Sequence, residues 1–220
     1  MNELNIYDVD LKYIRDLHNA DSNVMSQSPQ INKETRRYIG IILMINGQPY
    51  CIPFSSGNKE KFQNKKSNID LLKIPDEEHK TSTGAFKTLA VLNINNMIPV
   101  SKSVIAKVDL HILDSDSINV RRHKALLQKE LKWCRNNYDL IERRARKVYS
   151  QVVEFPEKSR NLTRRCCNFR KLEEVLIKRL EKESSSKPDA ADIIKEMDTW
   201  AQAVNDNAQR DLNNKDRQER

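Results

Sequence analysis

Two kinds of hydrophobic pattern divide the chain near residue 119. Before that point, apolar residues come in short runs typical of β-strands, and the longest of these runs is Tyr38–Ile45. After it, apolar residues recur every three or four positions, as they do on one face of an α-helix. The pattern predicts an α+β protein with an antiparallel sheet in its N-terminal half and helices in its C-terminal half.

A β-hairpin is the most clearly predicted local element. Asn46-Gly47 suits a type I′ turn, because both central residues of that turn need a positive φ. The preceding run is apolar on both faces, which predicts a central strand that is buried on both sides. Pro49 and Pro53 remove backbone donors from the return strand, so we expect that strand to be short, bulged or at an edge.

The rest of the N-terminal half predicts a short helix near residues 11–18 and further strands near residues 69–74, 88–94 and 104–108. We expect five or six short strands in all. Residues 57–87 are otherwise polar and are expected to form long loops.

The C-terminal half predicts one long amphipathic helix. Its apolar side chains form a single stripe from Leu127 to Val152, and Pro156 ends it. A second helix is expected near residues 172–180, and a third, extra C-terminal helix follows the serine linker at 184–186. We therefore predict a folded domain over residues 1–182 and an acidic, partly helical and partly disordered extension over residues 183–220.

Composition and charge narrow the class of protein. The 220 residues are 38% hydrophobic, which excludes a wholly disordered chain, and the formal net charge is +8. Residues 121–182 alone hold 19 Lys and Arg against 8 Asp and Glu. Such a basic block favours a nucleic-acid partner over an acidic protein or a membrane surface. An ordinary solvated helix face is the alternative explanation.

Other classes of chemistry find little support in the sequence. There is no apolar stretch long enough to span a membrane and no signal peptide, so a cytoplasmic protein is expected. The four cysteines include no C-x-x-C pair and the four histidines show no zinc-binding spacing. We expect reduced, semi-buried thiols, no bound metal and no cofactor.

One chemistry open to a basic protein is RNA cleavage without a metal, in which the 2′-hydroxyl of the RNA attacks the adjacent phosphate. The end of the hairpin, with Ser55, Ser56, Gly57 and Lys59, could hold that phosphate. The alternative is a simple strand-to-loop transition in which the two serines cap their own backbone.

Several segments resemble one known family. The resemblance is carried by Tyr38-Ile39-Gly40-Ile41-Ile42-Leu43, Asn46-Gly47 and Tyr50-Cys51-Ile52-Pro53-Phe54-Ser55-Ser56. These residues are similar to the core motif of the type III toxin–antitoxin endoribonucleases, the ToxN/AbiQ family. Segments 11–14, 92–100 and 167–174 agree in the same order, so the resemblance spans about residues 1–182.

The resemblance implies a strongly twisted antiparallel sheet, closed like a partial barrel, flanked by helices and related to the Kid/MazF toxins. It implies metal-independent cleavage of A-rich cellular and phage RNA, leaving 2′,3′-cyclic phosphate and 5′-hydroxyl ends. It also implies inhibition by a small repeated pseudoknot RNA, a closed toxin–RNA assembly and a role in abortive phage infection.

The same resemblance assigns catalytic roles to individual residues. Ser56 and Ser55 match the hydroxyls that end the hairpin, Tyr13 matches an N-terminal tyrosine that lines the site, and Arg36 matches a basic residue before the strand. A partly buried helix aromatic is the alternative for Tyr13, and a solvated charge is the alternative for Arg36.

The sequence departs from the family pattern at the lysine of the site. Asn58 stands where family members often have lysine, so the role passes to Lys59, with Lys61 as a substitute. The predicted RNA contacts are Lys33, Arg37, Lys61, Lys65, Lys66, Arg143, Arg144 and Lys147.

Two other functions remain open on the sequence alone. One is a non-catalytic RNA- or DNA-binding protein that uses the basic helix as its contact surface. The other is a scaffold that recruits a protein through the helix around Trp200.

Overall fold

The computed structural model describes residues 4–25, 38–57, 62 and 66–185. Within these residues, seven strands form one antiparallel sheet: β1 (Ile6–Val9), β2 (Tyr38–Ile45), β3 (Gln48–Ser56), β4 (Leu71–Lys80), β5 (Phe86–Asn93), β6 (Ile98–Pro99) and β7 (Ile105–Lys107). The five α-helices of the same residues are α1 (Leu11–Ala20), α2 (Ile118–Asn136), α3 (Tyr138–Val153), α4 (Arg160–Thr163) and α5 (Phe169–Ser185). The α+β class is confirmed.

The sheet is open. Its strand order is β4-β5-β3-β2-β1-β7, and β6 pairs with β3 outside that path. The two ends of this order do not pair with each other, so the described strands do not form a closed barrel.

The predicted hairpin is confirmed. Asn46 and Gly47 connect β2 to β3 with φ angles of 50° and 79°, the left-handed values that this turn needs. β2 lies between β1 and β3, and its side chains are buried at every position except Ile39. Apolar residues on both faces therefore do predict a central strand here.

The expectation for the return strand is wrong. β3 has nine residues and lies inside the sheet, paired with β2 on one side and with β6 and then β5 on the other. Pro49 and Pro53 flank the two residues that pair with β6, Tyr50 and Cys51. The missing backbone donors therefore lie where β3 begins to pair with β6 and where it exchanges β6 for β5. At these two positions the sheet needs the fewest hydrogen-bond donors from β3.

The long-loop expectation for residues 57–87 is also wrong in part. β4 has ten residues, of which the first half is largely buried and the segment from Glu77 to Lys80 is exposed. Its register with β5 shifts between Ile74 and Pro75. The outer half of β4 is a polar strand that extends beyond the hydrophobic core. Its sequence resembles that of a loop, because it contains no apolar residues that would identify it as a strand.

The single long helix is two helices. α2 ends at Asn136 and α3 begins at Tyr138, because Asn137 adopts φ −119° and ψ 23°. The side-chain amide of Asn137 donates to the carbonyl of Trp133 at 2.9 Å, a local bond that competes with helix continuation. The apolar stripe is confirmed on both sides of the break, since Cys134 and Ile141 are both fully buried.

The helices are fixed to the sheet by a half-buried carboxylate. The Glu173 side chain on α5 accepts hydrogen bonds from the Tyr50 hydroxyl on β3, at 2.7 Å, and from the Tyr149 hydroxyl on α3, at 2.8 Å. The rings of Tyr50, Tyr149 and Phe169 pack beside it with centroids 5.8 to 5.9 Å apart. α3, α5 and the middle of β3 therefore form one rigid unit.

Two further expectations concern the cysteines and the extension. All four cysteines are free and fully buried rather than semi-buried, and burial raises the pKa of the Cys166 thiol to about 12. The extension from residue 186 onward, with its predicted linker and helix, lies outside the described residues. No helix in the described part of the chain combines the length and apolar character that crossing a membrane requires.

Candidate active site

The predicted hydroxyls lie where β3 changes its neighbour. The pairing of β3 with β2 runs to Pro53, opposite Gly40, and its pairing with β5 runs from Phe54 to Ser56. The last residues of the strand therefore turn away from β2 toward β5. Ser56 is exposed there, whereas Ser55 is buried.

Ser55 is held by a side chain from β5. The amide of Asn93 donates to the Ser55 hydroxyl oxygen at 3.0 Å and also lies 3.3 Å from the carbonyl oxygens of Pro53 and Val91. Asn93 is itself buried. This contact fixes the rotamer of Ser55 and the course of β3 immediately before Ser56.

Gly57 allows β3 to approach β5 closely. Its backbone N–H donates to the Leu89 carbonyl at 3.1 Å, and an added Cβ atom would lie 2.2 Å from the Thr88 carbonyl oxygen. Only a residue without a side chain fits that space. The glycine of the predicted phosphate-binding segment is therefore needed for packing.

Tyr13 is not brought to the serines. It is fully buried in α1, and its hydroxyl donates to the Pro99 carbonyl at 2.8 Å. Pro99 pairs with Tyr50, six residues before Ser56 on β3, which is about 20 Å along an extended strand. Burial also raises the pKa of Tyr13 well above its usual value.

The placement of Tyr13 corrects the expectation that it lines the site. In the described structure its side chain is a core residue, with the guanidinium of Arg179 5.5 Å from the centre of its ring. The sequence left open the alternative that Tyr13 is a partly buried aromatic residue of a helix. In the structure Tyr13 is such a helix residue, and it is fully buried.

The predicted cations have different outcomes. Arg36, Lys59, Lys33, Arg37, Lys61 and Lys65 lie outside the described residues. Lys66, Arg143 and Lys147 are exposed. Arg144 is half-buried, and its guanidinium donates to the Asn68 carbonyl at 2.7 Å, close to the start of β4.

The sequence did not reveal a second polar cluster behind Asn93. Arg165 forms an ion pair with the buried carboxylate of Asp70, and Asn95 donates from its backbone N–H to the Asp70 carbonyl. The Asn95 side chain also donates to the Arg165 carbonyl at 3.1 Å. Three asparagines within the apolar segment 92–100 were the available signal, because polar residues in such a run need buried partners.

One group of metal-type ligands comes together among the described residues. Asp76, Glu78 and His79 lie near each other at the outer end of β4, where Asp76 and His79 are 2.8 Å apart and Glu78 pairs with Lys129. Glu78 and His79 are exposed. Ion pairing accounts for this arrangement, and it carries no argument for a metal ion.

The open end of the hairpin can present an exposed hydroxyl beside a rigid strand. Such a hydroxyl can donate to an oxygen of a bound phosphate, while the bond between Ser55 and Asn93 keeps the backbone in place. Because Ser55 and Ser56 point to opposite faces of β3, they do not act as equivalent groups.

Comparison with known proteins agrees with this architecture. The family model for the toxin ToxN of type III toxin–antitoxin systems matches residues 5–177. Endoribonuclease ToxN of Bacillus thuringiensis subsp. kurstaki is 28% identical over 186 residues, which are 83% of this chain and 88% of that protein. Endoribonuclease ToxN of Pectobacterium atrosepticum is 25% identical over 171 residues, which are 78% and 91% of the two chains.

Solved structures show the same fold. One comes from a type III system whose toxin is selectively inhibited by a non-coding RNA pseudoknot; it has 26% identity and a TM-score of 0.60, over 77% of this chain and 94% of that one. AbiQ, a lactococcal anti-phage endoribonuclease, has 24% identity and a TM-score of 0.60, over 78% and 94%. The second match supports the fold alone.

These matches and the open, helix-flanked sheet define a toxin of a type III toxin–antitoxin system. The chain belongs to the ToxN toxin family, since the family model covers most of its length.

Proposed function

We propose that this chain is an endoribonuclease toxin that cuts RNA at the open end of the β2–β3 hairpin and is inhibited by an RNA antitoxin. The observation that carries the proposal is the position of Ser56, exposed at the end of a strand that Asn93 and Gly57 hold rigidly against β5. The two endoribonuclease relatives and the pseudoknot-inhibited neighbour support it.

The proposed reaction uses a nucleophile that the RNA supplies. The 2′-oxygen attacks the adjacent phosphorus, a base removes its proton, the bond from phosphorus to the 5′-oxygen breaks, and that oxygen gains a proton. The products are a 2′,3′-cyclic phosphate and a 5′-hydroxyl. Ser56 donates a hydrogen bond to a phosphorane oxygen, where negative charge develops. DNA lacks the 2′-hydroxyl, so the site acts on RNA.

Cations are proposed to stabilise the same phosphorane. Arg36 and Lys59 lie outside the described residues, but each is two positions from a described residue at this end of the hairpin, Tyr38 and Gly57. Both assignments therefore remain predictions that the family resemblance supports.

Orientation and charge are proposed to supply most of the rate. None of the four histidines falls in the segments that resemble the family, so no side chain there has an ordinary pKa near neutrality. Holding the 2′-oxygen in line with the scissile bond and neutralising the phosphorane can supply a large acceleration without an efficient base.

The finer features of the function belong to this proposal. They are metal-independent cleavage of A-rich sites in cellular and phage RNA, a repeated pseudoknot antitoxin, a closed toxin–RNA assembly and a role in abortive infection in the cytoplasm. Kinship with the Kid/MazF toxins stays a prediction from the sequence. The basic surface of α2 and α3 supports an RNA partner of this kind.

The test is cleavage of an A-rich RNA in excess EDTA, followed by analysis of the product ends. We expect discrete cuts that end in cyclic phosphate, and we expect a single 2′-deoxy substitution at a cut site to abolish that cut. Cuts that persist at the 2′-deoxy position would refute the mechanism. Binding without any cleavage would favour the non-catalytic nucleic-acid-binding protein.

A further inference from the structure

A basic cleft lies at the β7 edge of the sheet, away from the hairpin end. It has a volume of about 790 Å³ and opens between β1, the segment after β7 and the C-terminal half of α2. Its lining contains three cations, Lys107, Lys132 and Arg135, against one carboxylate, Asp109. The cleft therefore has a positive charge without any contribution from His111, which also lines it.

The polar face of α2 is anchored beside this cleft without losing its charge. Arg135 donates from Nε to the Leu4 carbonyl at 3.0 Å, and Gln128 donates to the Leu110 carbonyl at 2.9 Å. Neutral carbonyl groups fix these side chains but do not cancel a cation. Among the described residues, neither Lys132 nor Arg135 forms an ion pair with a carboxylate.

The register of the sheet relates this cleft to the hairpin end. Lys107 pairs with Tyr7, Tyr7 with Gly40, and Gly40 with Pro53, so one row of residues crosses four adjacent strands. Three strand spacings amount to about 14 Å. Ser56 lies three residues further along β3, about 10 Å more. A single RNA strand of on the order of seven nucleotides, at about 3.4 Å each, covers this path of about 24 Å.

We propose that this cleft is a second RNA subsite, which binds the sugar-phosphate backbone of a strand whose cut position lies at Ser56. The inference rests on the proposed function, and it adds residues that the sequence did not assign to RNA binding. Lys107, Lys132 and Arg135 contact phosphates, so the subsite contributes affinity without reading bases. RNA too short to reach from the hairpin end does not use it.

The experiment compares two lengths of RNA. A 20-mer and a 4-mer with the same cut site are tested against the double variant Lys107→Gln and Lys132→Gln, which removes charge and keeps side-chain length. Lys178→Gln is the matched control, because Lys178 is an exposed lysine on α5 outside the cleft lining. Thermal unfolding is measured for every variant, and Lys132→Gln alone replaces the double variant if that fails to fold.

Binding is measured with a 20-mer that carries a 2′-deoxy nucleotide at the cut site. We expect the double variant to bind about three- to tenfold more weakly, and its slope of log K against log salt to fall by about 0.7 for each phosphate that the variant no longer neutralises. Its kcat/KM for the 20-mer should fall at least about threefold relative to that for the 4-mer. Lys178→Gln should match the wild type in each measurement.

Three results would overturn the inference. They are an unchanged salt slope, an equal loss for both RNA lengths, and loss of binding to poly-aspartate with RNA affinity preserved, which would indicate an acidic protein partner instead. The proposed function fails separately if the wild type cuts neither RNA, because the binding measurement does not depend on cleavage.

Discussion

The two ends of the β2–β3 hairpin are built in different ways. At the turn, Asn46 and Gly47 adopt left-handed φ angles, and a Cβ atom added to Gly47 would meet no atom within 4 Å. At the other end, Gly57 lies against the Thr88 carbonyl, and Ser55 is bound to Asn93. The turn is fixed by the backbone preferences of adjacent residues, and the open end by contacts with a strand more than thirty positions later.

The largest expected effect is on catalysis at the open end. Ser56→Ala should lower the rate of RNA cleavage by about 100- to 1000-fold, because it removes a donor to the phosphorane. Its affinity for a 2′-deoxy RNA should stay within about twofold of the wild type. Single-turnover cleavage and equilibrium binding measure the two quantities. A parallel loss of affinity would assign Ser56 to binding instead of catalysis.

The next effect is on stability, and it contrasts the two glycines directly. Gly57→Ala should destabilise the protein by about 2 to 3 kcal/mol, because the new methyl group forces β3 away from β5. Gly47→Ala meets no neighbour and should cost only about 1 kcal/mol, for its positive φ. Urea unfolding measures both. Equal losses would mean that the open end is no more constrained than the turn.

A smaller effect should follow from Asn93→Ala. The change removes the donor to Ser55 and leaves buried oxygens of the β3 end without it, which should cost about 1 to 2 kcal/mol. Cleavage should fall about tenfold, because the strand before Ser56 is less well held. Asn161→Ala is the matched control, since Asn161 on α4 is exposed and its side-chain oxygen accepts from Arg164, three residues later. Wild-type cleavage by Asn93→Ala would separate this contact from the site.

The smallest expected effect is that of pH on the difference in unfolding free energy between the two glycine variants. Residues 46–48 and 55–57 carry no titratable side chain, so the stability difference between Gly57→Ala and Gly47→Ala should change by less than about 0.5 kcal/mol from pH 6 to pH 9. Urea unfolding at both pH values measures it. A larger change would place a titrating group at one end of the hairpin.

The whole protein should nevertheless lose stability over this pH range. Burial raises the pKa of Glu130 on α2 from 4.5 to about 8, so the folded state retains a proton that the unfolded state has lost. The resulting stabilisation is complete below pH 4.5 and is lost as the pH rises through 8. Both glycine variants retain Glu130, so this term cancels from their difference.

The sequence predicts those features that depend on neighbouring residues. The turn at Asn46-Gly47, the burial of β2 and the apolar stripe of α2 and α3 each follow from a local period or a local dipeptide. The two hydroxyls at the end of β3 could be identified from the sequence for the same reason. The sequence did not predict which of the two would be exposed, because that depends on where β3 stops pairing with β2 and begins to pair with β5.

The sequence did not predict those features that depend on contacts between residues far apart in the chain. The prolines of β3 indicated a strand that is short, bulged or at an edge, but β6 and then β5 pair with it on its second side. The break at Asn137 has a local cause instead, since the side-chain bond to Trp133 ends α2 without interrupting the apolar period. Tyr13 was assigned to the site by the family resemblance, whereas its hydroxyl donates to the Pro99 carbonyl inside the core.

The open sheet also limits how copies of this protein can associate. β7 offers only three residues, and the outer half of β4 carries Asp76, Glu77, Glu78, His79 and Lys80 in succession. A dense row of charges on a terminal strand discourages a second molecule from extending the ladder through its backbone. Copies of this protein are therefore not expected to associate by joining their sheets edge to edge at β4.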